Sequence, residues 1–511
     1  MTQNAAVWFA DRHAESAIAS KVAFREVAGL QRDLTFAELS LTSGCVAAAL
    51  KRSGVQPGER AAMFVLDQLE FPQLFWGALK AGVEPVPLNT LLSTDVYSAI
   101  LNDCEPTIAF ISKELVDVVM PAAIHCKSLK TIVVIDAKRD HQAKSWDQFI
   151  ADTEPLEAID RSADDIAFWL YSSGSTGAPK GVRHRHESLR YTCDTYAAQV
   201  LGVRESDTVF SAAKLFFAYG MGNGMSFPLS VGATALLFNG RPTPESVSDI
   251  LAQHKPTIYC GVPTLYAALL HSWQQADSRP DAPLRICISA GEALPADIGQ
   301  RWKELWEVDI LDGVGSTEML HIFLSNAPDD VVYGTSGTAV PGYELRLVDE
   351  AGDPVVRGGL GELLVRGNSS ATDYWKQPEK TQMTFEGDWT RTGDKYEMTD
   401  SGRYVYCGRA DDMFKVSGIW VSPFEVEQAL IAHPSVLEAA VVAQQDEDGL
   451  NKPKAFVVLK DEHESDAIDT LKDFIKQRIG KWKYPRWIEV VDDLPKTATG
   501  KIQRFKLRTD H

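Results

Sequence analysis

The chain has 511 residues, 45% hydrophobic and 24% charged, with 51 Lys and Arg against 70 Asp and Glu for a formal charge of −19. At ~150 residues per domain it exceeds one compact unit, and its ordinary globular composition supplies a core without disulfides or metals. The acidic balance excludes general nucleic-acid binding but leaves room for a local basic pocket. The seven cysteines are scattered with no C-x-x-C pair, as expected of reduced thiols. No signal-type run opens the sequence and no apolar stretch reaches the ~18 residues of a membrane span, so a cytoplasmic location is expected.

In chain order, AAMFVLD (61–67) leads into the helical pattern FPQLFWGALKAG, and TIVVID (131–136) and LRICISAGEALP (284–295) begin with the same kind of apolar strand. Strands alternating with helices predict a largely parallel sheet covered on both faces. Residues 343–366 change texture: YELRLVDEAGDPVVRGGLGELLVR alternates and turns on glycines, predicting an antiparallel β-subdomain. ADDMFKVSG is a polar break, placing a domain boundary at Asp411. Beyond it VSPFEVEQALIAH predicts a helix capped by Ser422 with Pro423 at its first position. AAVVAQQ and KAFVVLK predict strands, and AIDTLKDFIKQRI an amphipathic helix.

YSSGSTGAPKG (171–181) follows the strand-like IAFWLYSS. Glycines let backbone N–H groups turn inward, the Ser and Thr hydroxyls add donors, and Lys180 adds a cation: an anion-binding nest. It is not a Walker A loop, because Pro179 precedes the lysine and Gly181 follows it. Alone, it also fits a flexible Gly/Ser surface loop. Four more stretches occur in order. DGVGSTEM places Thr317 and Glu318 side by side, suited to a phosphate oxygen and its Mg²⁺. TRTGDKY places Asp394 where a carboxylate can accept from two ribose hydroxyls. YCGRADDMFKVSG carries Arg409, Asp411 and Asp412, and LPKTATGKIQR presents Lys501 from a small-residue loop. Each alone also fits a solvated turn; the ordered set does not.

These stretches, with SAGEALP between them, resemble the signature series of the adenylate-forming acyl- and aryl-CoA synthetase superfamily, from the strands near Thr35 to Lys501. AKLFFAYGMGNGMSFPL, GVGSTEMLHIFLSN and VSGIWVSPFEVE resemble its benzoate–CoA ligase branch. The resemblance implies an α/β fold. Residues 1–410 would form a large N-terminal domain of several subdomains, with mixed sheets flanked by helices and a small β-barrel-like subdomain. Residues 411–511 would form a small mobile α+β domain. It implies that Ser172, Ser173, Gly174, Ser175, Thr176, Gly177 and Lys180 hold the β- and γ-phosphates of ATP. Gly291, Glu292 and Asp312 would line the adenine, Thr317 would contact the α-phosphate, Glu318 would hold Mg²⁺, and Asp394 and Arg409 would bind the ribose. Lys501 would be the catalytic lysine and Asp411 the hinge. Lys415, Gly418 and Trp420 would meet coenzyme A.

The implied acyl pocket reads FFAYG, CGVPT and MLHIF. Small Ala218 and Gly315 would leave a flat slot walled by Tyr219, His321 and Ile322, which suits an aromatic ring; the walls also fit ordinary core residues. Benzoate or a small substituted benzoate is the expected acid, with a short or medium fatty acid as the alternative. A carrier-protein-loading enzyme and a non-catalytic nucleotide binder are rival functions. A homodimer is expected from the family, and loops like that around Lys501 are acetyltransferase targets in it.

Overall fold

The computed structural model describes residues 2–136, 143–173, 179–416, 419–447, 449–460, 467–480, 483–496 and 502–508. Two compact units emerge. The first comprises Met1–Tyr333, Gly337–Glu344 and Val365–Thr390; the second comprises Gly334–Ser336, Leu345–Leu364 and Arg391–His511.

In the first unit a five-stranded parallel sheet runs in the order Glu84–Pro87, Arg60–Phe64, Ile108–Ser112, Thr131–Ile135, Lys144–Ser145. A nine-stranded sheet has a parallel centre of Ile310–Gly315, Ile286–Ser289, Ile258–Gly261, Thr208–Ser211, Thr234–Leu237 and Val22–Glu26. Strands such as IYCG and ICIS are buried along their whole length, as helices on both faces require. Antiparallel strands close both edges.

Local chemistry sets the helix ends. Thr35 and Glu38 form a reciprocal capping box that starts Phe36–Arg52, and Thr243 with Ser246 does the same for Pro244–His254. Glu70–Lys80 is buried on every side and lies against Phe36–Arg52. Gly77 permits this approach: a Cβ there would sit 2.6 Å from Val46.

Register aligns the sheet's exits. Ser211 is opposite Cys260, Gly261 opposite Ser289, and Ser289 opposite Asp312. The segments bearing Lys214, Gly291 and Thr317 therefore leave the same edge, the carboxyl ends of parallel strands where open α/β sheets bind ligands.

In the second unit, residues 394–398 pair antiparallel with strand Tyr404–Arg409. Beyond them Val436–Gln445 and Asn451–Leu459 pair antiparallel, and Trp487–Val490 adds a parallel strand. Leu430, Val441, Val457, Leu471 and Ile475 form the core between this sheet and helices Pro423–Ile431 and Ala467–Ile479. Ser422 caps the first of these helices, its Oγ accepting from the Glu425 amide at 3.1 Å. All seven cysteines are free thiols. Among the described residues no helix is long and apolar enough to cross a membrane.

Candidate active site

The phosphate-loop candidate is carried by a hairpin. Strands Ile166–Ser173 and Pro179–Arg185 pair antiparallel with Tyr171 opposite Gly181 and Ser172 opposite Lys180. Gly174, Ser175, Thr176 and Gly177 lie outside the described residues, and Ser173 is described by its backbone alone. The base of the hairpin is clamped. Tyr171 donates its hydroxyl to Asp103 at 2.5 Å, and the Trp375 amide donates to the Gly181 carbonyl at 2.8 Å. Lys180 places its ammonium 4.8 Å from the centre of the Tyr374 ring.

Thr317 and Glu318 follow the end of strand Ile310–Gly315, both half-buried. A tight turn presents them: Ser316 Oγ accepts from the Met319 amide at 3.1 Å, and Leu320 closes it at φ +65°. The Glu318 carbonyl accepts from the Ala371 amide at 2.7 Å, and its carboxylate Oε1 accepts from the Tyr374 hydroxyl at 2.7 Å. Asp312 lies within that strand and is buried; its Oδ1 has no hydrogen-bond partner among the described residues, and burial pushes its pKa up to about 8. Gly291 leaves the neighbouring strand end at φ +96°, with Glu292 half-buried after it.

The acyl candidates gather around one histidine. Ala218 opens the single turn Ala218–Met221, and Tyr219 within it aims its hydroxyl at the Gly261 and Ile288 carbonyls, 3.1 and 3.0 Å away. The His321 ring lies 4.5, 5.5 and 5.9 Å from the rings of Phe227, Tyr196 and Tyr219. Burial pushes its pKa down to about 3, so it is neutral. Glycines make room for it: a Cβ on Gly222 would sit 2.3 Å from His321 Cδ2, and one on Gly315 would sit 2.5 Å from the His321 carbonyl oxygen. Ile322 is buried and would meet a Cβ on Gly313 at 2.8 Å. Phe227, Tyr196 and Gly222 were not among the residues singled out from sequence. Neither was Tyr374, which stands in ATDYWKQPEKT with no local pattern pointing to Glu318.

In the second unit Asp394 stands opposite Arg409. Arg409 Nη1 donates to the Thr392 carbonyl at 2.9 Å and to Asp394 Oδ1 at 3.3 Å, while its Nε donates to Asp411 Oδ1 at 3.3 Å. Gly393 turns at φ +70°, and a Cβ there would sit 2.7 Å from Arg409 Nη2. Burial works against the guanidinium charge, but the Asp394 and Asp411 carboxylates hold its pKa above the usual arginine value. Lys415 and Trp420 face each other across a two-stranded hairpin, the ammonium 4.6 Å from the ring centre, and both are exposed. Gly418 and Lys501 lie outside the described residues. Three residues past Lys501, Arg504 makes paired bonds of 2.8 and 2.6 Å to buried Glu427.

The donor set bears on a metal. Among the described residues no group of three His, Cys, Asp or Glu could enclose an ion. A single oriented carboxylate, Glu318, fits Mg²⁺, which takes one or two protein carboxylates and completes its shell with phosphates and water.

Comparison with known proteins identifies the family. Residues 10–375 match the AMP-binding enzyme family and residues 425–501 the AMP-binding enzyme C-terminal domain. The chain is 53% identical over 485 residues to benzoate–CoA ligase of Thauera aromatica, covering 93% of this chain and 90% of that one. A solved benzoate CoA ligase from Burkholderia xenovorans LB400 superposes with a TM-score of 0.90 at 47% identity over 100% of both chains. The anthranilate CoA ligase AuaEII, solved with anthranoyl-AMP, gives 0.94 at 41% identity over 99% of this chain and 96% of that one. With a family model matching well over half of its length, this chain belongs to the family of AMP-binding enzymes.

Proposed function

We propose that the protein joins an aromatic carboxylic acid, benzoate or a small substituted benzoate, to coenzyme A in two steps. The carboxylate first attacks the α-phosphorus of ATP, forming acyl-AMP and expelling pyrophosphate. The thiol of coenzyme A then attacks the acyl carbon and AMP departs. The observation that carries this reading is the near-full-length likeness to benzoate–CoA ligases; the aromatic rings gathered around His321 support an aryl acid.

The obstacle in the first step is the meeting of two anions. At 4 Å and an effective dielectric near 20, like charges repel by about 4 kcal/mol. Lys501 is assigned to bridge both oxyanions, and no general base is needed because the nucleophile is already ionised. The loop from Ser172 to Lys180 would stabilise charge developing on pyrophosphate with its amide, hydroxyl and ammonium donors. Thr317 would bond the α-phosphate, Gly291, Glu292 and Asp312 would line the adenine, and Asp394 and Arg409 would hold the ribose. Mg²⁺, when bound, would neutralise phosphate charge, with Glu318 as its protein ligand. For the second step, turning about Asp411 at the boundary between residues 1–410 and 411–511 would exchange Lys501 for the Lys415–Trp420 loop. Gly418 would let the backbone approach the pantetheine arm. Cytoplasmic location, a homodimer and acetylation of Lys501 by a lysine acetyltransferase complete the proposal; acetylation would remove the charge the first step needs.

The test is carboxylate-dependent ATP–pyrophosphate exchange over a panel of acids, followed by thiol consumption on adding coenzyme A. Exchange with benzoates and consumption of thiol are expected. Exchange without consumption would select a carrier-loading enzyme, preference for alkanoates would overturn the aryl assignment, and neither signal would leave a non-catalytic nucleotide binder.

A further inference from the structure

Residues 371–375 strap two parts of the site together. Glu318 is held at both ends by this segment, its carbonyl by the Ala371 amide and its carboxylate by the Tyr374 hydroxyl, each at 2.7 Å. The same segment is bonded to the strand bearing Lys180. Asp373 and Tyr374 pair with Arg183 and Val182, the Thr372 amide donates to the Arg183 carbonyl, and the Trp375 amide donates to the Gly181 carbonyl. Arg183 adds a two-pronged bond to the Asp373 carboxylate. The Tyr374 side chain reaches both functional groups: its hydroxyl meets Glu318, and its ring face lies 4.8 Å from the Lys180 ammonium. The ring is buried and braced by Phe385 at 5.5 Å, so its direction is set by packing.

A carboxylate that must take a metal on one oxygen benefits from a donor that fixes its rotamer through the other, and loss of such an outer partner typically weakens metal binding 10–100-fold. We propose that Tyr374 is a positioning residue that orients the Glu318 carboxylate toward the metal–nucleotide complex while its ring seats Lys180 beside it. The proposal rests on the reading of Glu318 as the metal-facing carboxylate. It does not make Tyr374 a group that touches substrate.

The experiment uses the full-length protein, without carboxylic acid so that no turnover occurs. ATP binding is titrated by calorimetry at a series of Mg²⁺ concentrations, and bound Mn²⁺–ATP is followed by electron paramagnetic resonance. Tyr374→Phe keeps the ring over Lys180 and removes the hydroxyl; the Mg²⁺ needed for half-maximal ATP affinity should rise about ten-fold, with a changed Mn²⁺ spectrum. Thioester formation from supplied benzoyl-AMP should stay at the wild-type rate. Glu318→Gln should show a rise at least as large, and adding Tyr374→Phe to it should do nothing more. A rise with Glu318→Gln but none with Tyr374→Phe would overturn the positioning role alone. No rise with either would overturn the reading of Glu318 as well. Equal loss in the thioester step, or additive effects in the double variant, would show Tyr374 acting through general stability and overturn the proposal.

Discussion

His321 Nε2 lies 3.3 Å from the backbone carbonyl oxygen of Tyr219, which can only accept, so that nitrogen carries the ring proton. The bond holds the imidazole against the turn Ala218–Met221 and ties two walls of the candidate acyl slot. Its buried Nδ1 has no hydrogen-bond partner among the described residues.

Gly222→Ala should therefore disturb the slot and little else. The new methyl would sit 2.3 Å from His321 Cδ2, and Phe227 stands behind the same space. A shift of order 1 Å in that wall should lower kcat/KM for benzoate about 100-fold. The KM for ATP should stay near wild type; steady-state kinetics with each substrate varied in turn would decide it.

Lys501→Ala should separate the half-reactions. Removing a contribution of about 4 kcal/mol at the oxyanion encounter slows adenylation about 1,000-fold. Thioester formation from supplied benzoyl-AMP should be spared. Single-turnover assays of each step measure this, and equal losses would refute alternating roles for the C-terminal residues.

Acid should destabilise the first unit through buried histidines. Burial lowers His184 and His321 to about 3 and His186 to about 4. An unfolded histidine titrates near 6.5. Their contribution is complete above that pH and is lost as pH falls toward 3 to 4, because the unfolded chain takes up protons the folded one refuses. Replacing His184, stacked on Phe168, by Phe should flatten the acid limb of the urea midpoint plotted against pH.

Asp312 works in the opposite direction. Its folded pKa is raised to about 8, against ~3.9 when unfolded. The folded carboxyl thus keeps a proton the unfolded one releases, and its contribution falls as pH rises between those values. Asp312→Asn should remove that slope and raise the thermal midpoint of the ligand-free protein at pH 8.5. An unchanged midpoint would show that the folded carboxyl ionises in the ordinary carboxylate range.

In the second unit, Arg504→Met would strand the Glu427 carboxylate, whose side chain is only 4% exposed and also accepts from the Val441 amide. Breaking one side of such a pair costs about 3 kcal/mol. Calorimetry should show a transition of this unit moved to lower temperature, and adding Glu427→Gln should restore part of the loss.

The elements were legible because their signals are local. Ser422 and Pro423 announce a helix within one turn, the period of AIDTLKDFIKQRI matches helix Ala467–Ile479, and buried apolar runs such as ICIS read as central strands. The turn that presents Thr317 and Glu318 was legible for the same reason, since it is built from consecutive residues.

By itself the sequence determined the family, the order of elements and the ionisable groups available for chemistry. Only the tertiary structure decided which of them meet. Tyr374 finds Glu318 across 56 positions and His321 finds Tyr219 across 102. The room for His321 depends on the missing side chain of Gly222, 99 positions away in sequence. Such pairings arise from sheet register and side-chain packing, which sum many weak long-range contacts and leave no pattern within a helical turn of either partner.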